Sequence, residues 1–497
     1  MKKVYLFGIG GTGSRVIKSL IHLLAAGVWK PNPGQEFELV PVLMDPHQTN
    51  EDLKRTIQLI QLYRGIQREI GNSCGFWSAP VNTMTGLQQA NTFTFKLENV
   101  TGSKFKDYVQ YNSMNEASRS LTEFLFSGES VDKRKNKVSL LDVEMDIGFV
   151  GNPNIGSVVL NQFKDSEDFK TFAGQFNEND RIFIISSIFG GTGAAGFPTI
   201  LKNIRNASKL GAAIANAGFL ENAKIGSLTM LPYFNIDVDE KSPINRSAFF
   251  AKTRAALHYY QEHVNKEVNA LYYFGDSHVG KAYPNDPGNA GQKNAAHFAE
   301  VAGALAILDF LAISDEELAE SKGVLCKEFG IQENKNAIDF QILGDRTQAL
   351  LKRTLTQLFL FDYYDKHFLQ QEIKNAKLTW RTSAPTIDEQ FISGDFYQNK
   401  VKPFFTHFRE WIQELQENDP AFVPFLTNAP FDQLIRSYMP KTGSMFGLGM
   451  KPMSKENFNT KLNESAKATV SQSANEKFVR IFFDATDKLI TNAFPIF

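Results

Sequence analysis

Residues Asp180–Asn203 constrain the fold more than any other stretch of the chain. Ile182–Ile188 (IFIISSI) runs without a charge and is rich in β-favouring residues, which predicts a strand buried on both faces. Phe189-Gly190-Gly191-Thr192-Gly193-Ala194-Ala195-Gly196 follows, and a helical run opens at Pro198. Proline suits a first helical turn, where its missing N–H costs nothing. Strand, glycine turn and helix in that order make a phosphate-holding geometry. The glycines let backbone N–H groups approach oxygen atoms closely, and the helix N-terminus adds partial positive charge. A plain tight turn gives the same local pattern, so the weight comes from two further glycine loops, Gly8–Ser14 and Gly151–Gly156.

The first of these loops is the first turn of a βαβ unit. Lys3–Phe7 is a short strand, and Val16, Ile17, Leu20, Ile21, Leu23 and Leu24 then fall at helical spacing up to Gly27. Leu39–Met44 is a second buried strand ending at Asp45. Asp45 stands further beyond Gly13 than the roughly 20 residues of a dinucleotide fingerprint. It reads equally as a ribose contact and as the start of an Asp-Pro turn. Asn50–Ile70 is an amphipathic helix, residues 71–136 carry no clear pattern, and Val138–Phe149 looks extended. Strands at Ile225–Leu231 and Ala270–Phe274 alternate with a helix through Phe249–Tyr260 and an apolar helix at Asn294–Ile313. This alternation predicts a doubly wound parallel α/β sheet over residues 1–313. From residue 314 the character changes. Ser314-Asp315-Glu316-Glu317 is a capping box that should open a helix, and Thr347–Leu369, Pro403–Glu417 and Asn463–Ala485 are helical in pattern. Residues 314–497 are therefore expected to form a mainly helical domain, or a lid on the first.

Composition removes several function classes. With 53 basic and 54 acidic residues the net charge is −1, so there is no basic field for nucleic acid or an anionic membrane surface. Cys74 and Cys326 are the only cysteines, which excludes a disulfide framework and a Cys-based zinc site and fits a reducing, cytoplasmic setting. No uncharged apolar run is long enough to insert in a membrane. The eight histidines do not cluster at ligand spacing, and His258 and His263 miss a shared helix face, so no protein-held metal is expected. Gly275–Ala282 nearly matches a P-loop, but Ala282 replaces the magnesium-binding hydroxyl and no helical pattern follows; it reads as a chance match.

Taken together, the loops resemble those of the tubulin/FtsZ superfamily, nearest to its divergent bacterial tubulin-like members. Gly190-Gly191-Thr192-Gly193 keeps the centre of that family's GGGTG(S/T)G loop, with Asp180 and Pro198 at the flanking positions. Gly8–Ser14 is similar to its GxGGxGxN loop, with Ser14 where Asn is usual, and Gly151–Gly156 (GNPNIG) is similar to GxNPxxG. Asp45 stands where the second loop carries its Asp. Phe189 and Ala195 replace glycines of the pattern, and a helical C-terminal third departs from the family's mixed second domain. The resemblance implies GTP or GDP with Mg2+. Gly10, Gly11, Thr12, Gly13, Ser14, Gly190, Gly191, Thr192 and Gly193 would hold phosphates, and Asn152 would close the γ-phosphate side. Asn294–Ile313 would be the central helix, with Asn294, His297 or Phe298 at the base. It also implies head-to-tail self-association into filaments, with an acid of one subunit orienting water in the next subunit's site. Asp315, Glu316 or Asp339 would supply that acid.

Other classes compete. GIGGTGS also resembles the loop of ubiquitin-activating and ThiF-like adenylating enzymes, with Asn50, Leu53 and Arg55 faintly similar to a segment after their second strand. That reading lacks their Asp-x-Asp and zinc CxxC pairs, and it leaves the second glycine loop unexplained. Its catalytic cysteine would be Cys74 or Cys326. A nicotinamide-dependent oxidoreductase fits GxGGxG only in part. A nucleotide-gated interaction protein, with a protein partner on the helical third and no turnover, fits as well as a GTPase.

Overall fold

Six strands pair into one parallel sheet. The strands are β1 (Lys2–Ile9), β2 (Phe37–Met44), β3 (Arg181–Ser187), β4 (Lys224–Met230), β5 (Ala270–Gly275) and β6 (Leu325–Gly330). They lie in the order β6-β5-β4-β3-β1-β2, every pair parallel. These coordinates come from a computed structural model that describes residues 1–47, 50–72, 74–84, 94–95, 97–132, 134, 136–210, 214–236, 246–275, 282–283, 293–319, 322–330, 337–436 and 453–493. Residues 276–281 of the P-loop-like stretch and 437–452 of the Gly/Met-rich segment lie outside them. β2 is an edge strand, the position where Pro41 withdraws no needed ladder donor.

Successive residues on β1 to β5 enter opposite cores, as a sheet covered on both faces requires. On β1, Val4 and Leu6 join one core while Tyr5, Phe7 and Ile9 join the other. The first core packs against α1 (Gly10–Ala25), α2 (Glu51–Ile70) and α6 (Phe298–Ala312); the second packs against α4 (Gly191–Arg205) and α5 (Arg246–His263). A third, smaller cluster surrounds α3 (Pro153–Leu160). Beyond α6 the long helices among the described residues are α7 (Asp345–Tyr364), α8 (Lys402–Gln416), α9 (Lys455–Ala468) and α10 (Ala474–Ala493). The first core continues from α1 and α6 into these helices without a break. The join is polar as well as apolar: the Trp411 indole stacks on His22 and donates to Ser19 Oγ at 3.2 Å.

Several local expectations are corrected. The α/β alternation holds, but the sheet takes its sixth strand from residues 325–330, beyond the expected boundary at 313. The capping box does form, with Glu317 N donating to Ser314 Oγ and Ser314 N to the Glu317 carboxylate, both at 3.2 Å. It closes only a turn, because Asn269 Nδ2 takes the Leu318 carbonyl and Leu325 N bonds Asn269 O, drawing the chain into β6. Val138–Phe149 is not extended: after Lys137–Ser139 it coils into short 3-10 turns that seat Leu140, Met145 and Phe149 in the third cluster. The run Asn463–Ala485 is split between α9 and α10, where Ser473 caps a new start through Glu476 N at 3.1 Å.

Pro198 does not open its helix. α4 begins at Gly191, so Pro198 sits in the interior. A proline there leaves the carbonyl four residues back without its donor. The buried hydroxyl of Tyr260 on α5 donates to that carbonyl, Ala194 O, at 3.1 Å.

Candidate functional site

β1 and β3 are neighbours, but the helices that follow them leave to opposite faces, α1 into the first core and α4 into the second. The sheet order reverses here, and in an open parallel sheet the crevice beyond the carboxyl ends of such strands is where ligands bind. Both strands end in glycine turns. Gly10 has φ +70° and lies so close to the second turn that a Cβ on it would sit 3.5 Å from Thr192 Cβ. Gly13 rests on the end of its own strand, where a Cβ would lie 2.5 Å from the Gly8 carbonyl carbon. Gly193 repeats this on β3, where a Cβ would lie 2.4 Å from Ser187 O. The third loop joins them: a Cβ on Gly191 would meet Asn152 N at 2.9 Å and Gly151 N at 3.1 Å. The three glycine loops of the sequence thus form one cluster.

That cluster gathers the N-termini of α1, α3 and α4. The first N–H groups of a helix have no partner within it, and they carry its positive end. The residues preceding these helices, Ile9, Asn152 and Gly190, supply no side-chain cap, and none of the three has an acidic residue in its first turn. Several helices elsewhere are compensated. α2 is capped by Asn50 and begins Glu51-Asp52, α6 is capped by His297 and carries Glu300, and α9 is capped by Ser454 and carries Glu456. Three uncompensated positive ends therefore meet at one point. Lys252 adds a cation at the rim, its Nζ donating to Gly151 O at 2.9 Å.

Beneath Gly11 lies a buried polar network that local sequence patterns do not reveal. Arg15 Nε donates to Glu300 Oε1 at 2.6 Å, Nη1 to Asp52 at 2.9 Å and Nη2 to the Tyr233 hydroxyl oxygen at 2.9 Å. Tyr233 in turn donates to Glu300 at 2.8 Å. The Asp52 carboxylate also accepts from Asn294 N at 3.2 Å, and Glu300 from His297 N at 3.1 Å. Burial lifts the Asp52 pKa and Arg15 pulls against it. A buried charge needs partners, so Arg15 and Glu300 on largely apolar helices were the available signal, but not one that named the partner.

The other predicted residues are placed as follows. Asp45 is buried and accepts from His47 N at 3.0 Å and Asn50 Nδ2 at 3.3 Å, so the Asp-Pro turn is real; burial pushes its pKa up to about 7. Thr12 is buried beside Arg15, and Ser14 turns its hydroxyl back to Gly10 O at 3.2 Å. Asn152 donates to Ser130 Oγ at 3.2 Å. Phe189 packs against Tyr233 and Phe234 at the crevice wall. Asn294 and His297 lie at the start of α6 near the network. Phe298 instead turns into the core and packs against Phe422, with ring centres 5.0 Å apart. Asp315 bonds the buried Arg181 at 2.8 Å, at the opposite end of β3 from the glycine turn, and lies 3.7 Å from Lys2. Glu316 is exposed beside it. Asp339 lies apart from both, folded into its own turn through Gln341 N and 4.0 Å from Arg436. Arg55, singled out by the adenylating reading, pairs with Glu414 and Glu410; Cys74 is buried and Cys326 exposed. Among the described residues, no three His, Cys, Asp or Glu gather as a metal site, and no helix is long and apolar enough to cross a membrane.

Fold and site together define an α/β protein with paired glycine turns at the switch point of a parallel sheet. Compared with known protein families and with curated proteins, the chain finds no match in either.

Proposed function

We propose that the chain binds a nucleoside triphosphate, GTP in the first instance, across the three glycine loops. The observation that carries the reading is the meeting of three uncapped, acid-free helix N-termini at the switch point. Backbone N–H groups of Gly10–Gly13 and Gly190–Gly193 would hold the phosphates, with Asn152 closing one side. Magnesium would arrive with the nucleotide, held largely by phosphate and water. Tubulin/FtsZ resemblance supplies the choice of guanine and the idea of head-to-tail assembly. Asp315 and Glu316 at the far end of β3 support that polarity, since a site at one end and acids at the other suit a heterologous contact between copies. A binding protein without turnover is a second reading: of the three candidate acids Asp315 is held by Arg181 and Asp339 by its own turn, which leaves the exposed Glu316.

The test is a titration of GTP, ATP and NAD separately, with magnesium, following binding and light scattering together. GTP is expected to bind, and a rise in scattering marks assembly. Thr192→Glu places a negative charge among the three N-termini on a half-buried side chain. It should weaken GTP binding by roughly a hundredfold, the loss of two charge-assisted contacts, with the far-UV CD spectrum unchanged. Equal binding by this variant would show that phosphate does not lie at these loops.

A further inference from the structure

A second site lies far from the glycine loops in sequence, between α7 and α8. A cavity of about 160 Å3 opens there, with Phe359, Phe408 and Ile412 among its apolar walls and Lys366, His367 and Arg409 among its polar ones. A π-helical turn, Asp365–Leu369 continuing α7, gives the cavity Lys366 and His367, and a second, Tyr397–Val401, leads into α8. Such turns are rare and gather at functional sites. Their first residues are joined, the Tyr397 hydroxyl donating to Asp365 Oδ1 at 2.8 Å. The two distortions are thus tied to each other, the first of them at the cavity.

The chemistry of the lining selects the ligand. Asp362 is a carboxylate in the wall, and it already accepts from Arg409 Nη1 at 2.6 Å. Lys366 is exposed at the mouth and makes no ion pair among the described residues. The charge facing a ligand is therefore positive, and it sits outside an aromatic and aliphatic interior. A free cation would be repelled, and a wholly apolar ligand would leave Lys366 unused. A space of about 150 Å3 accepts one benzene ring, so the body of the ligand is a single ring or its aliphatic equivalent.

We infer that this cavity is a binding site for a small organic monoanion, one ring in size, with its carboxylate at Lys366 and its apolar body against Phe408 and Ile412. α8 makes the site more than local. Its opposite side carries Trp411 and Glu414, which hold α1 at Ser19 and Lys18.

The experiment uses the full chain, with sodium benzoate as the probe and benzamide as its uncharged counterpart, followed by calorimetry or ligand-observed NMR. Benzoate should bind saturably at one site. Benzamide, and benzoate with the Lys366→Glu protein, should each bind at least tenfold more weakly, the effect of losing one charge-assisted contact. Gln413→Trp, on an exposed residue of the lining, should block binding while the melting temperature stays unchanged. Absence of saturable benzoate binding overturns the inference. So does binding that is indifferent to Lys366→Glu and to Gln413→Trp.

Discussion

Glu414 shows how much one side chain can organise. Its carboxylate accepts from Lys18 at 3.1 Å, from Arg55, and from Ala296 N at 3.0 Å, so it ties α8 to α1, to α2 and to the segment before α6. Burial alone would raise its pKa, but Lys18 and Arg55 hold it below the ordinary glutamate value of 4.5. The folded state then binds fewer protons than the unfolded chain as the pH falls below that value. The resulting stabilisation is complete above about pH 4.5 and is lost as the pH falls through the depressed pKa. Glu414→Gln should remove that part of the acid dependence and, by leaving the buried Lys18 without its partner and Arg55 with Glu410 alone, cost about 3 kcal/mol at neutral pH. Urea denaturation of the two proteins at a series of pH values gives the difference directly; parallel curves would show that the carboxylate contributes no such link. At this scale the sequence was partly legible. The need for glycine at 13 and 193 follows from the turn, but the partner of Arg15, 285 residues away at Glu300, does not.

At the scale of elements, periodicity located strands and helices well and their ends less well. The strand at 182–188 and the helix through 249–260 appear nearly as read, because burial on a face leaves a period in the sequence. Ends depend on contacts from elsewhere. The capping box at Ser314 is intact, yet the helix it announces stops after a turn because β6 is drawn to β5. α4 starts seven residues before Pro198 because Tyr260 supplies the hydrogen bond that proline cannot. Tyr260→Phe should therefore leave Ala194 O unsatisfied in the core and destabilise the protein by roughly 1–3 kcal/mol. The denaturation midpoint checks it. Tyr260→Phe in a Pro198→Ala background should cost less, since alanine restores the donor, and an unchanged cost would show that the hydroxyl does not replace the missing N–H.

For the whole molecule, the shared core decides how the chain divides. α8 lays Trp411 and Phe404 against His22 of α1, and Phe76 beside α2 packs against Phe361 and Phe483 of α7 and α10. A fragment ending at Gly344 keeps every strand of the sheet and loses this cover. It should bind ANS and unfold without a sharp transition, whereas the full chain unfolds cooperatively. A fragment that folds with a sharp transition would instead establish residues 345–497 as a separable domain.

The sequence by itself determined the alternation of strands and helices and the three glycine loops, because both arise locally: burial imposes a period, and a turn without room for a Cβ admits only glycine. It also showed which elements carry chemistry-bearing turns. Tertiary structure alone decided that the three loops share one crevice, that three helix N-termini there lack compensating charge, that Phe298 belongs to the core, and that β6 completes the sheet. Those outcomes depend on which surfaces and buried charges meet across hundreds of residues, and no local pattern records the partner.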